Sequence, residues 1–439
     1  MTLREFLEAE IKEDALTLLP SALDPGGPFG AASGPAGAAA IPAPDPNLPD
    51  IVYIHGILGG HLIDVASGAR VWVELLPALA GHLDDALEFR PAEANGNFRL
   101  RGGGHLRTVY SLAEGIWRAK GFNVRQFNYD WRRGVDELAA EFVQFVKSNF
   151  PGGKRFAIVA HSMGGVVAAQ AANLDRDLAR QVDHAVFAGV PLRGSLTPMD
   201  AISGENWMLQ LIAKLSVPSH IPIFGQPELP GLRRMAAGLP GLVDLLADPD
   251  LFHNAAQLYD DSGVWPDGIA PTRERLQRSR QLKKEQSASP LLEKAAALVT
   301  RWIKAPIGVE RQAGKLKAVD PVEGDGEVPV QSAIVGGMKS YELEYVHPLD
   351  PLDPLFIEAA AQLVQGQEPG GGVRRFTPGD ASQPSSCPLF SEAEAVLELN
   401  RELIGSLVHS VRVGALDQDL LLWILSHGRY KGAVATAGH

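Results

Sequence analysis

Short uninterrupted apolar runs alternate with stretches of helical periodicity over the first half of the chain. Ile51-Val52-Tyr53-Ile54, Phe156-Ala157-Ile158-Val159 and Ala185-Val186-Phe187-Ala188 are such runs. Residues 123–129 read as a further strand after the break at Gly121. Between them, residues 138–150 carry apolar side chains at helical spacing and stop at Pro151, and residues 166–172 continue as a helix. Strands that lack polar alternation are buried on both faces, so the pattern predicts an α/β fold: a mostly parallel central sheet covered by helices.

The flanks read differently. Leu3, Phe6, Leu7 and Ile11 recur at helical spacing and predict an amphipathic helix over 2–19, followed by a Pro/Gly/Ala linker over 24–49. Residues 196–312 hold many prolines and helical patches but few strand signals, which predicts a helical cap inserted between two sheet strands. Alternation resumes near Leu316 and at 341–346, with a helix over about 353–364. A second Gly/Pro-rich linker follows Gly366, and 391–427 reads as two helices, with Ser391 and Glu394 as a capping box. The domains expected are thus 1–49, a core over 50–366, and an extension over 367–439.

Composition narrows the function classes. The 439 residues hold 52 Asp plus Glu against 40 Lys plus Arg, a net charge of −12. An acidic chain lacks the basic footprint of a sequence-independent nucleic-acid binder, so no nucleic-acid partner is expected. The single cysteine, Cys387, excludes an intrachain disulfide and fits a reducing compartment. The first twenty residues are charged throughout, unlike a signal peptide, and no apolar run reaches the ~18 residues of a spanning helix. A cytoplasmic protein is expected, with signal-independent export as the other route. No metal-ligand spacing such as H-E-x-x-H occurs, and neither metal nor cofactor is expected.

The chemistry concentrates at FAIVAHSMGGVV, residues 156–167. A buried strand running into His161-Ser162-Met163-Gly164-Gly165 and then a helix is the setting of a nucleophile elbow. The tight turn demands small residues two before and two after the serine. Ala160 departs from the usual glycine by one methyl group. The competing reading makes Ser162 a plain helix N-cap. A serine hydroxyl needs a base, and the base needs an orienting acid. His347 stands just after the strand-like 341–346, at the sheet edge where sites are built, and is the candidate base. Asp325, between two glycines, is the candidate acid, with Asp320, Glu323 and Glu327 as rivals. The backbone N–H groups of Ile57, in the glycine-rich turn after the first strand, and of Met163 are the candidate oxyanion donors.

Six motifs then point one way: HGILGG at 55–60, YDWR at 129–132, AHSMGG at 160–165, GVPLRGS at 189–195, GDGEVP at 324–329, and His347. With them the chain resembles α/β-hydrolase lipases, most closely the lecithin:cholesterol acyltransferase-like branch, over about residues 50–366. The resemblance implies an α/β-hydrolase fold with Ser162 as nucleophile, Asp325 as acid, His347 as base, and Ile57 and Met163 as oxyanion donors. It implies a lipid or acyl-ester substrate and a lipase or phospholipase reaction. O-acyl transfer, a thioesterase or amidase on the same triad, and a non-catalytic interaction protein on this fold are the alternatives. The missing disulfides and the His-Gly in place of the relatives' Pro-Gly argue against transfer to a sterol and leave hydrolysis intact.

Candidate substrate or cap residues are Asp130, Trp131 and Arg132 at a strand end, where an Asp130–Arg132 ion pair supporting the strand end is the competing and preferred reading, and Trp207 and Leu211 on one apolar face of the cap. Residues 273–284 carry six basic side chains against Glu274, a basic helix that offers a peripheral contact with anionic membrane headgroups.

Overall fold

The computed structural model describes residues 43–72, 83–90, 92–106, 110, 112–206, 209, 229–260, 262–301, 303–343, 354–370, 373–377, 398–399 and 429–430. The expected helix over 2–19, most of the linker after it, most of 391–427, and the candidates Trp207, Leu211 and His347 lie outside these residues. Glu398–Leu399, inside the region expected to be helical, pairs instead as a short parallel strand with Arg429–Tyr430.

The apolar runs become one seven-stranded sheet. Its strands are β1 (Ile51–Ile54), β5 (Val124–Phe127), β6 (Phe156–His161), β7 (Val182–Ala188), β8 (Ala295–Val299), β11 (Lys339–Glu342) and β12 (Arg374–Arg375), in the order β12-β11-β8-β7-β6-β1-β5. All neighbours are parallel except β12, which runs antiparallel to β11 at the edge. The six parallel strands therefore deliver their C-terminal ends to one rim. All six residues of β6 are buried, so both of its faces are covered.

Helices α1 (Val135–Asn149) and α2 (Met163–Leu174) pack on one another, and α2 also packs on β6. Phe142, Val143 and Val146 recur at helical spacing on the buried side of α1. Helices α3 (Thr197–Ser203) and α4 (Leu229–Gly238) form part of the cap, α5 (Arg273–Ser287) packs on α2, and α6 (Pro354–Val364) packs on β6 and β7. Beside the main sheet, β2 (Gly60–Asp64), β3 (Arg70–Trp72) and β4 (Leu100–His105) make a small antiparallel sheet. The ten-residue strands β9 (Ile303–Gln312) and β10 (Lys315–Gly324) make a long hairpin.

Two expectations need correction. The cap reading over 196–312 swallows β8, a central strand. Its sequence, AAALV, is three alanines and two larger residues, and follows a strongly polar helix. Alanine is a weak strand former, and only the buried position between β7 and β11 makes this segment a strand. The strand signal near Leu316 belongs to β10 of the hairpin, outside the central sheet.

Candidate active site

Strand β6 ends at His161 and α2 begins at Met163, leaving one residue to turn the chain. Ser162 makes that turn with φ 51° and ψ −126°. A non-glycine residue there costs about 1–3 kcal/mol, and such strain persists where the surroundings hold it. Here they do: the Ser162 N–H donates to Ala188 O at 2.9 Å, and the Ser162 carbonyl accepts from Gly165 N–H at 3.1 Å. The side chain makes no N-capping hydrogen bond, which removes the plain N-cap reading. The Met163 N–H, in the first turn of α2, has no intrahelical acceptor. Gly164 is obligatory, because a Cβ there would lie 2.6 Å from His55 O and 2.7 Å from Ile54 O. The helix start thus rests on the end of β1. Ala160, paired between Ile54 and Phe187, is accommodated with its methyl group buried.

The HGILGG turn follows β1 directly beside this elbow. A Cβ at Gly56 would fall 2.9 Å from the Ser162 Cβ. Around the turn, the carbonyls face donors from three other segments. Tyr129 Oη donates to His55 O (2.6 Å), Trp72 Nε1 to Leu58 O (2.9 Å), Trp131 Nε1 to Gly60 O (3.1 Å) and Leu106 N–H to Gly59 O (3.0 Å). Gly59 N–H closes the turn on Gly56 O at 3.1 Å, and Leu58 takes a left-handed φ of 62°. Among the described residues, the Ile57 N–H meets no acceptor. Turning the carbonyls outward onto donors from other segments leaves an amide available beside the serine.

Imidazoles pack under the turn. The His55 ring stacks on Tyr129 (4.1 Å between centroids, 2° between planes) and meets His105 edge-on at 4.8 Å. Burial pushes the His55 pKa down to about 4 and His105 well below its usual range. Both rings are therefore neutral near pH 7.

The YDWR tetrad is engaged within the fold, and the Asp130–Arg132 ion pair expected at this strand end is present. All three are buried. Arg132 forms a two-bond fork with Asp130 (2.9 and 2.7 Å), pairs with Glu93 (2.8 Å), and donates to the carbonyls of Leu87 and Glu88. That uses its five N–H donors, the condition under which a buried guanidinium is tolerable. Tyr129 and Trp131 grip the two ends of the HGILGG turn. The motif thus brackets the turn.

The acid candidate arrives by a longer route. Chain leaving β8 runs out along β9 and back along β10, whose last pair, Ile303 with Gly324, sits at the hairpin base. Asp325 comes next, nearly buried, with Oδ1 accepting from the N–H groups of Glu327 (3.0 Å) and Val328 (2.7 Å). Gly326 supplies φ 103° for this tight turn. Its rivals are engaged elsewhere. Glu323 forks onto Arg301 (2.8 and 2.7 Å), and Asp320 meets the exposed His253 at 2.9 Å. Glu327 accepts from Thr197 Oγ1 at 3.5 Å. Strand β11 ends at Glu342 on the same rim, and His347 lies outside the described residues.

The basic helix is also corrected in part. On α5, Arg278 bridges Asp136 and Glu285, Arg275 pairs with the buried Asp244, and Lys283 is buried with its Nζ donating to Asp244 O. Burial lowers the Lys283 pKa to about 7. The basic run could not reveal Asp136 and Asp244, because they come from α1 and the cap, whereas Glu285 lies on α5 itself just beyond the run. Among the described residues no helix is long and apolar enough to cross a membrane, and no three His, Cys, Asp or Glu side chains group as metal ligands. The sequence reading missed Tyr110 and Trp72 at the turn. Their only signal is being aromatic, with no motif around them.

Comparisons with known proteins fit this architecture. Residues 109–223 match the family described as lecithin:cholesterol acyltransferase. The structure of the Tle4-Tli4 complex aligns with a TM-score of 0.53 at 12% identity, covering 73% of this chain and 99% of that one. The mature lipase BlEst2 of Bacillus licheniformis aligns at 0.34 and 13% identity, covering 70% of this chain and 89% of that one. Phospholipase PlaB of Legionella pneumophila aligns at 0.36 and 14% identity, covering 73% and 60%. No curated protein matches by sequence. The mostly parallel sheet with flanking helices fits the α/β-hydrolase fold, and residues 109–223 are similar to the lecithin:cholesterol acyltransferase family.

Proposed function

We propose that this protein is a serine hydrolase of lipid carboxylic esters, acting through Ser162, His347 and Asp325. The observation that carries the reading is Ser162 itself. A serine held at φ 51° between a central strand and a helix start, its side chain not spent on capping, faces a bracketed turn with an uncommitted amide. Strain of this kind is kept at sites that use it.

In the reaction His347 takes the Ser162 proton as the oxygen attacks the ester carbonyl. The Ile57 and Met163 N–H groups receive the resulting oxyanion, aided by the positive end of α2. The intermediate collapses as His347 returns the proton to the departing alcohol, leaving an acyl-Ser162. Water, deprotonated by His347, then releases the acid. Asp325 orients the imidazole and stabilises its charged form. The engagement of Asp320, Glu323 and Glu327 with other partners supports Asp325 in this role. The family match over 109–223 supports an acyl-lipid substrate and a second reading, in which an alcohol replaces water in the last step.

Fluorophosphonate labelling tests the core of the proposal. The wild-type protein labels and Ser162→Ala does not. Labelling that survives the substitution would place the nucleophile elsewhere. A panel of lipid esters with and without an added alcohol acceptor separates hydrolysis from transfer by the products formed.

A further inference from the structure

The two proposed oxyanion amides belong to different strands. Ile57 follows β1, and Met163 follows β6. A donor pair of this kind works only if the two N–H groups hold a fixed spacing. Main-chain pairing between β1 and β6 ends at Ile54 and Ala160, before either amide is reached. Something beyond the sheet must hold the last few residues together.

Tyr110 occupies that position. Its Oη accepts from the Gly56 N–H at 3.1 Å and lies 2.6 Å from His161 Nδ1. Gly56 is the residue before Ile57, and His161 is two residues before Met163. The ring also fixes the far side of the turn, since a Cβ at Gly59 would lie 2.7 Å from Tyr110 Cε2. The side chain is buried, and its backbone N–H is anchored on Leu106 O at 3.0 Å. With its two lone pairs and one proton, a phenol suits a bridge between an amide that must donate and a ring nitrogen that takes either role.

We infer that Tyr110 is a positioning residue that ties the HGILGG turn to the nucleophile strand and sets the spacing of the two oxyanion amides. The inference rests on the proposed hydrolase reading, and its consequences are partly independent of activity. Without the phenol oxygen, the Gly56 N–H loses its acceptor and the turn is free to shift against Ser162. Displacing one amide should cost less than deleting it, and deletion of an oxyanion donor costs about 10²–10³ in kcat.

Tyr110→Phe tests this with two readouts. Hydrogen exchange at the Gly56 amide should accelerate, and kcat on a soluble ester should fall roughly tenfold with KM nearly unchanged, as expected for an interaction felt in the transition state. Unchanged exchange, or faster exchange with an unchanged kcat, would overturn the inference. A rise in KM alone would do so too. Failure of the hydrolase reading looks different: Ser162→Ala would keep its activity, while Gly56 exchange would still respond to Tyr110. If Tyr110→Phe does not fold, 3-fluorotyrosine at this position preserves the packing and changes only the acidity of the hydroxyl. A kcat identical to that of the wild type would then count against Tyr110.

Discussion

The Ser162 side and the Asp325 side of the rim are built in opposite ways. On the Ser162 side, strand, turn and helix start occupy residues 156–165 without interruption, and the small side chains in that stretch meet β1 directly. On the Asp325 side, β8 ends at Val299 and the carboxylate waits until residue 325, after a hairpin has gone out and come back. The first arrangement is fixed by sterics among neighbours in sequence. The second is fixed by the pairing at the hairpin base and by a turn in which Asp325 binds its own following amides. A rim can therefore be assembled from one part that tolerates almost no change and another that carries a long insertion.

Substitutions on each side should expose this difference. The largest loss is expected from Ser162→Ala, which should cut kcat on a soluble ester by about 10⁶ while leaving the melting temperature close to that of the wild type. Asp325→Asn should lower kcat about 10⁴-fold. It should also cost some stability, because the carboxylate bonds two amides, so the melting curve separates the two variants. Breaking the bracket behind the turn should show mainly in folding. Arg132→Ala strands the buried carboxylates of Asp130 and Glu93, and chemical denaturation should report a loss of about 3–5 kcal/mol.

A weaker effect concerns acidity. His55 titrates near 4 when folded and near 6.5 when unfolded, so between these values the unfolded chain binds the extra proton. The resulting contribution is fully present above pH 6.5 and is lost as pH falls toward 4. His105 shifts in the same direction. Denaturation midpoints measured across this window should drop with pH, and less steeply in His55→Phe. The smallest change is expected from Ala160→Gly, which restores the usual pattern around the serine. It should leave kcat within about twofold and cost about 0.5–1 kcal/mol, as glycine does inside a strand.

How much of this could be read from the chain follows the same division. The elbow was legible because its chemistry and its steric needs lie within ten residues, as were the strands β1, β6 and β7, which contain the apolar runs 51–54, 156–159 and 185–188. The AAALV strand was not, because its strand character comes from β7 and β11 rather than from its own side chains. The meaning of YDWR was half legible. The motif stood out, but its task depends on Glu93, Leu87 and the HGILGG turn, which only the fold brings near. The basic run on α5 misled for the same reason, since Asp136 and Asp244 are distant in sequence.

The β9–β10 arm has a practical consequence. Its strands close at Ile303 and Gly324, next to the carboxylate turn, while its tip at Ala313 and Gly314 is exposed and already uses left-handed backbone angles. Cargo grafted at that tip, such as a fluorophore-bearing peptide or an affinity tag, would be carried at the end of the hairpin, away from Asp325. The arm is thus a ready handle by which the protein can be tethered or observed.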